Sequence, residues 1–248
     1  MGSFANRLAI GPVFATLSLS FPSVASADFK ATCLGSPDAA RQVIYLRGIT
    51  PDAGPAEGWR LSRFRGFDHT VLSTDLFFEA AFYERDWDVL AKELGLQVAL
   101  VESDRYCTGS LSARCWTGDE TGSIASTFAE VVKAAGRCFK VTDGHYGLVG
   151  FSNGGYHVDR VVMQCLKPTP RWAVAVGSAG DAKLAGEDLS HCTKRLTLAI
   201  GDHDITNAKA RLFAGEMQRR KLDARFVEFY GGHELPRDAL REILREQP

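Results

Sequence analysis

A chain of 248 residues has room for one large domain or two small ones. Its 45% hydrophobic and 24% charged content is that of an ordinary globular protein. The net charge of −1 excludes the Lys/Arg surplus that neutralising nucleic-acid phosphates requires, so no nucleic-acid partner is expected.

In chain order, residues 1–27 stand apart. Arg7 supplies a positive start, Leu8 to Val24 is mostly apolar, and Ala25-Ser26-Ala27 offers the small residues that a signal peptidase reads. Pro12, Pro22 and the Ser/Thr content make this stretch a poor spanning helix. It is expected to be a cleaved signal peptide that leaves no stable membrane anchor. The mature chain is then a single domain over 28–248, delivered to a periplasmic or extracellular space.

The mature part alternates short apolar runs with helical patterns. Gln42–Leu46 reads as a strand and is followed by a Gly/Pro-rich stretch from Gly48 to Gly66. Thr70 to Leu94 has apolar residues at helical spacing and stops at Gly95. Strand Leu96–Glu102, helix Thr121–Ala135, strand Tyr146–Phe151 and helix Asn153–Leu166 follow. The pattern continues with strands Trp172–Val176 and Leu196–Ile200, helix Asn207–Lys221, strand Ala224–Tyr230 and helix Pro236–Glu246. Such alternation implies parallel strands joined by right-handed crossovers. Continuous apolar strands imply a sheet covered on both faces. The fold class is therefore α/β, a doubly wound, mostly parallel sheet.

In such a sheet, functional residues gather beyond the carboxyl ends of the strands. Three strand ends carry a constellation. Gly150-Phe-Ser152-Asn153-Gly154 sits between a strand and a helix, where its glycines allow a sharp turn that lifts the Ser152 hydroxyl above the sheet. The Asn153 N–H then stands at a helix N-terminus, suited to stabilise an oxyanion. Gly201-Asp202-His203-Asp204 and Gly231-Gly232-His233-Glu234 follow later strands, giving the order nucleophile, acid, base. His233 is the candidate base, and either aspartate is a candidate to orient it. His157, one turn past Ser152, reads as a packed helix residue.

Gly-Phe-Ser-Asn-Gly-Gly resembles the nucleophile elbow of the phospholipase/carboxylesterase family of α/β-hydrolases, which includes the acyl-protein thioesterases. Gly201-Asp-His-Asp204 is similar to that family's acid motif, and Gly-Gly-His233-Glu to its histidine motif. Related elbows occur in enzymes of the feruloyl-esterase and polyhydroxybutyrate-depolymerase type. The resemblance implies an α/β-hydrolase fold with a minimal cap, no metal or organic cofactor, and a triad of Ser152, Asp204 and His233. Asp202 is left to stabilise its loop.

This fold commonly has His-Gly-x after its first strand, with the residue past Gly as second oxyanion donor. Here Arg47 replaces the His and Gly48 is kept, so Ile49 N–H is the matching donor. Arg47 itself either binds a substrate carboxylate or phosphate or forms a surface salt bridge. Trp59, Arg60, Arg63, Phe64 and Arg65 form a basic-aromatic cluster in the long following loop, a candidate wall of the substrate pocket.

All six cysteines lie in the mature part, an even number without CxxC spacing, as in a disulfide framework. Cys107 and Cys115 both follow the strand ending at Glu102 and are expected to pair. Cys33, Cys138, Cys165 and Cys192 fall at the opposite end. In this fold the strand with the oxyanion loop neighbours the nucleophile strand, which suggests Cys33–Cys138 and leaves Cys165–Cys192.

The expected activity is hydrolysis of a carboxylic ester or thioester in a small-molecule or acylated substrate, through an acyl-enzyme. The same machinery serves acyl transfer or peptide cleavage. A binding protein that keeps the scaffold without catalysis is the alternative of a different class.

Overall fold

The computed structural model describes residues 29–48, 50–51, 84–105, 113–114, 116 and 124–247. Several sequence expectations therefore lie outside the described residues. They are the export signal, Ile49, the cluster from Trp59 to Arg65, the first part of the helix begun at Thr70, Cys107, Cys115 and the minimal cap.

The elements in order are β1 (Lys30–Gly35), β2 (Arg41–Leu46), β3 (Thr50–Pro51), α1 (Glu84–Leu94), β4 (Leu96–Glu102), β5 (Ala113–Arg114) and α2 (Ile124–Ala135). There follow β6 (Tyr146–Phe151), α3 (Asn153–Met163), β7 (Trp172–Val176), β8 (Arg195–Gly201), α4 (Asn207–Arg219), β9 (Ala224–Phe229) and α5 (Arg237–Arg245). Seven strands form one sheet in the order β1-β4-β2-β6-β7-β8-β9. Every pair is parallel except β1 with β4. The α/β reading holds.

Strand pleat decides what each residue covers. In β2, Val43 and Tyr45 join Trp87 and Leu90 of α1 and Leu240 and Leu244 of α5 in one apolar layer. Ile44 and Leu46 point the other way, into a layer with Phe128 of α2, Val158 and Val162 of α3, and Phe213 and Met217 of α4. Helices thus cover both faces, which is why the central strands are continuous apolar runs. Among the described residues no helix is long and apolar enough to cross a membrane.

Two expectations need correction. Cys33 does not fall at the end of the sheet opposite the site but lies inside an additional strand, β1, opposite Ala99 in the middle of β4. Lys-Ala-Thr-Cys-Leu-Gly carries no continuous apolar run because β1 is a half-exposed edge strand. Helix α3 also ends three residues before Leu166. Gln164 closes it, Cys165 takes φ 48°, and the N–H groups of Cys165 and Leu166 turn back onto the Val162 and Val161 carbonyls. That left-handed cap satisfies the last carbonyls and stops the helix.

Cys33 and Cys138 lie at disulfide distance with Cα atoms 5.3 Å apart, as do Cys165 and Cys192 at 4.6 Å. Both pairs match the expectation, although the route for the first differs. It joins an edge strand to the turn after α2, where the Gln97 amide donates to the Cys138 carbonyl at 2.8 Å.

Candidate active site

The chain leaves β2 to build β4 on one side and returns to build β6 on the other, so the carboxyl ends of β2 and β6 form the switch point of the sheet. Register sets them level: Leu46 pairs with Gly150. Ser152 is the next turn residue beyond β6.

Ser152 has φ 51° and ψ −116°, a conformation that costs a non-glycine residue on the order of 1–3 kcal/mol. Its surroundings hold it there. Its N–H donates to the Val176 carbonyl at 2.8 Å, and its own carbonyl accepts from Tyr156 N–H at 2.9 Å. The glycines flanking it are required by contact. A Cβ on Gly150 would lie 2.8 Å from the Gly155 nitrogen, and one on Gly154 would lie 2.8 Å from the Leu46 carbonyl carbon. Helix α3 therefore starts pressed against the end of β2.

The structure brings Ser152, His233 and Asp204 into one line. Ser152 Oγ lies 2.9 Å from His233 Nε2, and His233 Nδ1 lies 2.8 Å from Asp204 Oδ2. Asp204 Oδ1 accepts from the Thr206 N–H and hydroxyl, both at 2.7 Å. The Asp204 side chain is fully covered, whereas the His233 ring is 20% exposed. Burial pushes the Asp204 carboxyl up, but the hydrogen bond and charge of His233 and the Thr206 bonds outweigh it, and its pKa is lowered. The carboxylate is thus held ionised where it can orient an imidazole and balance its positive form. The His233 ring also packs against Phe151, 5.2 Å between centroids.

Asp202 takes a different place from Asp204. Its Oδ1 accepts from Gly231 N–H at 2.9 Å, which ties the loop after β8 to the loop after β9. This is the loop-stabilising position that the motif suggested. His203 is exposed beside it, edge-on to Tyr230.

Asn153 is the first residue of α3, so its N–H stands at the positive end of that helix. Arg47 Nη1 donates to Glu102 Oε1 at 2.5 Å, and the Arg47 side chain is 15% exposed. Of its two expected roles, the structure displays the salt bridge, which joins the ends of β2 and β4.

Sequence reasoning missed three residues near the site. Trp116 is buried and bonded to both Arg47 and Asn153; its only signal was a lone Trp beside a cysteine in a segment expected at this sheet end. Asp159 and Ser178 meet under the start of α3, with Ser178 Oγ donating to Asp159 Oδ2 at 3.0 Å. Burial raises the Asp159 pKa to about 7, against the Ser178 bond and the charges of Lys209 and Arg160. His157 is buried as expected, and burial together with Arg160 and Arg105 lowers its pKa to about 3.

Among the described residues, potential metal ligands converge at Cys165, His191 and Cys192, within 4.8 Å of one another. The two sulfurs lie at disulfide distance, and an oxidised pair offers no thiolate.

No protein-family profile matches the chain, and no curated protein matches it in sequence. Solved structures do match its shape. The carboxylesterase of Bacillus cereus superposes with a TM-score of 0.58 at 12% identity, over 90% of this chain and 96% of that one. Esterase PE8 gives 0.56 at 16% identity, over 90% and 100%. A carboxylesterase from Mesorhizobium loti gives 0.56 at 15%, over 91% and 98%. With the strand order above, these likenesses establish the α/β-hydrolase fold.

Proposed function

We propose that the protein is an exported serine hydrolase that cleaves a carboxylic ester or thioester through an acyl-enzyme. The observation that carries this reading is the hydrogen-bonded line from Ser152 Oγ through His233 to Asp204. His233 Nε2 takes the Ser152 proton as Oγ bonds to the acyl carbon. The negative charge that forms on the carbonyl oxygen is met by the Asn153 N–H and by Ile49 N–H, the donor expected from the motif. His233 then passes its proton to the departing alcohol or thiol as the bond to the acyl carbon breaks. Water repeats the sequence on the acyl-enzyme and releases the acid, while Asp204 keeps the ring oriented throughout. The reaction so written needs neither metal nor organic cofactor.

The esterases of the same fold support an ester as substrate class. Export is supported by the residue pattern of 1–27 and by the two cysteine pairs at disulfide distance, since such bonds persist in oxidising compartments. A fluorophosphonate probe and a p-nitrophenyl ester series of increasing chain length test the reading. Wild type is expected to be labelled and to hydrolyse at least one ester, and Ser152→Ala to do neither. A folded wild type that is unlabelled and no faster than Ser152→Ala overturns it.

A further inference from the structure

Trp116 touches the end of β2 and the start of α3, the two segments on the oxyanion side of the site. Its indole N–H donates to the Arg47 carbonyl at 2.6 Å, at the end of β2. Its backbone N–H donates to Asn153 Oδ1, also at 2.6 Å, on the first residue of α3. The ring is 2% exposed; Phe29 packs edge-on against it, with centroids 5.3 Å apart, and the His157 ring lies tilted to it at 5.8 Å. His157 lies one helical turn beyond Asn153, so the indole runs along the first turn of α3 and reaches across to β2. These two segments already meet at Gly154, where a Cβ would strike the Leu46 carbonyl.

We propose that Trp116 is a positioning residue that fixes the Asn153 N–H in the oxyanion site, by tying the start of α3 to the end of β2. The inference rests on the serine-hydrolase reading and adds a residue to it. That donor, Asn153 N–H, belongs to the residue whose side chain Trp116 holds. Oxyanion stabilisation depends on donors set at the distance of the charged oxygen rather than of the neutral carbonyl. A brace on both segments therefore acts on the transition state more than on substrate binding.

The test compares Trp116→Phe, which keeps an aromatic ring and loses the indole N–H, with Asn153→Ala, which removes the acceptor of the backbone bond. The readouts are kcat and KM on an ester that wild type cleaves, the affinity of an aryl boronic acid that forms a tetrahedral adduct on serine, and the melting temperature. Each variant is expected to lose roughly 10–100-fold in kcat with KM within about twofold, and to lose boronate affinity in parallel. A residue that only supports packing lowers the melting temperature and leaves both ratios unchanged. Wild-type kcat and boronate affinity in Trp116→Phe overturn the inference while leaving the Ser152 reading intact. If Trp116→Phe does not fold, the same two quantities in Asn153→Ala decide. A wild type that neither reacts with fluorophosphonate nor cleaves esters overturns both readings.

Discussion

Replacing Gly154 with alanine tests the elbow at its tightest contact. The added Cβ would sit 2.8 Å from the Leu46 carbonyl carbon, and closer still to the carbonyl oxygens of Leu46 and Arg47. Ordinary contact begins near 3.4 Å, so at least about 0.6 Å must be made up. The obstructing atoms are backbone of a central strand end, which cannot rotate aside as a side-chain tip would. Either α3 moves off β2 or β2 bends, and both shift the start of α3, where the proposed oxyanion donor Asn153 N–H sits. Overpacking of this kind costs roughly 1–3 kcal/mol. For a chain of this size that corresponds to a fall of about 2–12 °C in melting temperature. A displacement approaching 1 Å at the reacting centre is expected to lower kcat on the order of 100-fold. Calorimetric melting and steady-state ester hydrolysis measure the two effects, and Gly215→Ala serves as the control. An alanine at 154 with wild-type kcat would show that the contact between α3 and β2 does not set the geometry of the site.

Gly215 lies inside α4 with nothing within 4 Å of a built Cβ, so Gly215→Ala is expected to raise stability by roughly 0.5–1 kcal/mol in urea titration. Asp159 has its pKa raised in the folded state to about 7, so its contribution to stability is present below its unfolded pKa and is lost as pH rises to about 7. Asp159→Asn is therefore expected to gain stability relative to wild type as pH rises over that window, and a melting-temperature difference that is flat from pH 4 to 8 refutes the assignment. Joint replacement of Cys33 and Cys138 opens a closure spanning 105 residues, against 27 for Cys165 and Cys192. In the chain-entropy account the first loss is the larger, about 4–5 kcal/mol, and denaturant titration of the two double variants checks the order. Non-reducing peptide mapping is expected to recover Cys107 linked to Cys115.

Strand positions were readable because burial on both faces leaves an unmistakable run of apolar residues. Leu96–Glu102, Tyr146–Phe151 and Trp172–Val176 have the bounds that their sequences suggest. β1 was invisible for the same reason: an edge strand with one open side has no such run. The geometry around Ser152 was legible because glycine spacing, strand ends and chain order are all local properties. Trp116 was not, since its bonds to Arg47 and Asn153 span 69 and 37 residues and no local pattern announces them. Asp159 and Ser178 escaped in the same way. A carboxyl at a helical position reads as solvated surface until the fold closes over it.

The position of Ser152 on β6 divides the site into two flanks. Strands β8 and β9 lie to one side and deliver Asp204 and His233, with Asp202 joining their loops. Strands β2 and β4 lie to the other, joined by Arg47 and Glu102 and braced by Trp116. The bonds that do join the two sides lie away from the serine: Arg41, at the start of β2, donates to the Leu244 carbonyl of α5, and Arg241 and Arg245 of α5 donate to Glu93 of α1. On the proposed mechanism, changes to proton transfer and changes to oxyanion stabilisation fall on separate stretches of chain. Losses from the two flanks are expected to multiply when combined, whereas two lesions within one flank overlap.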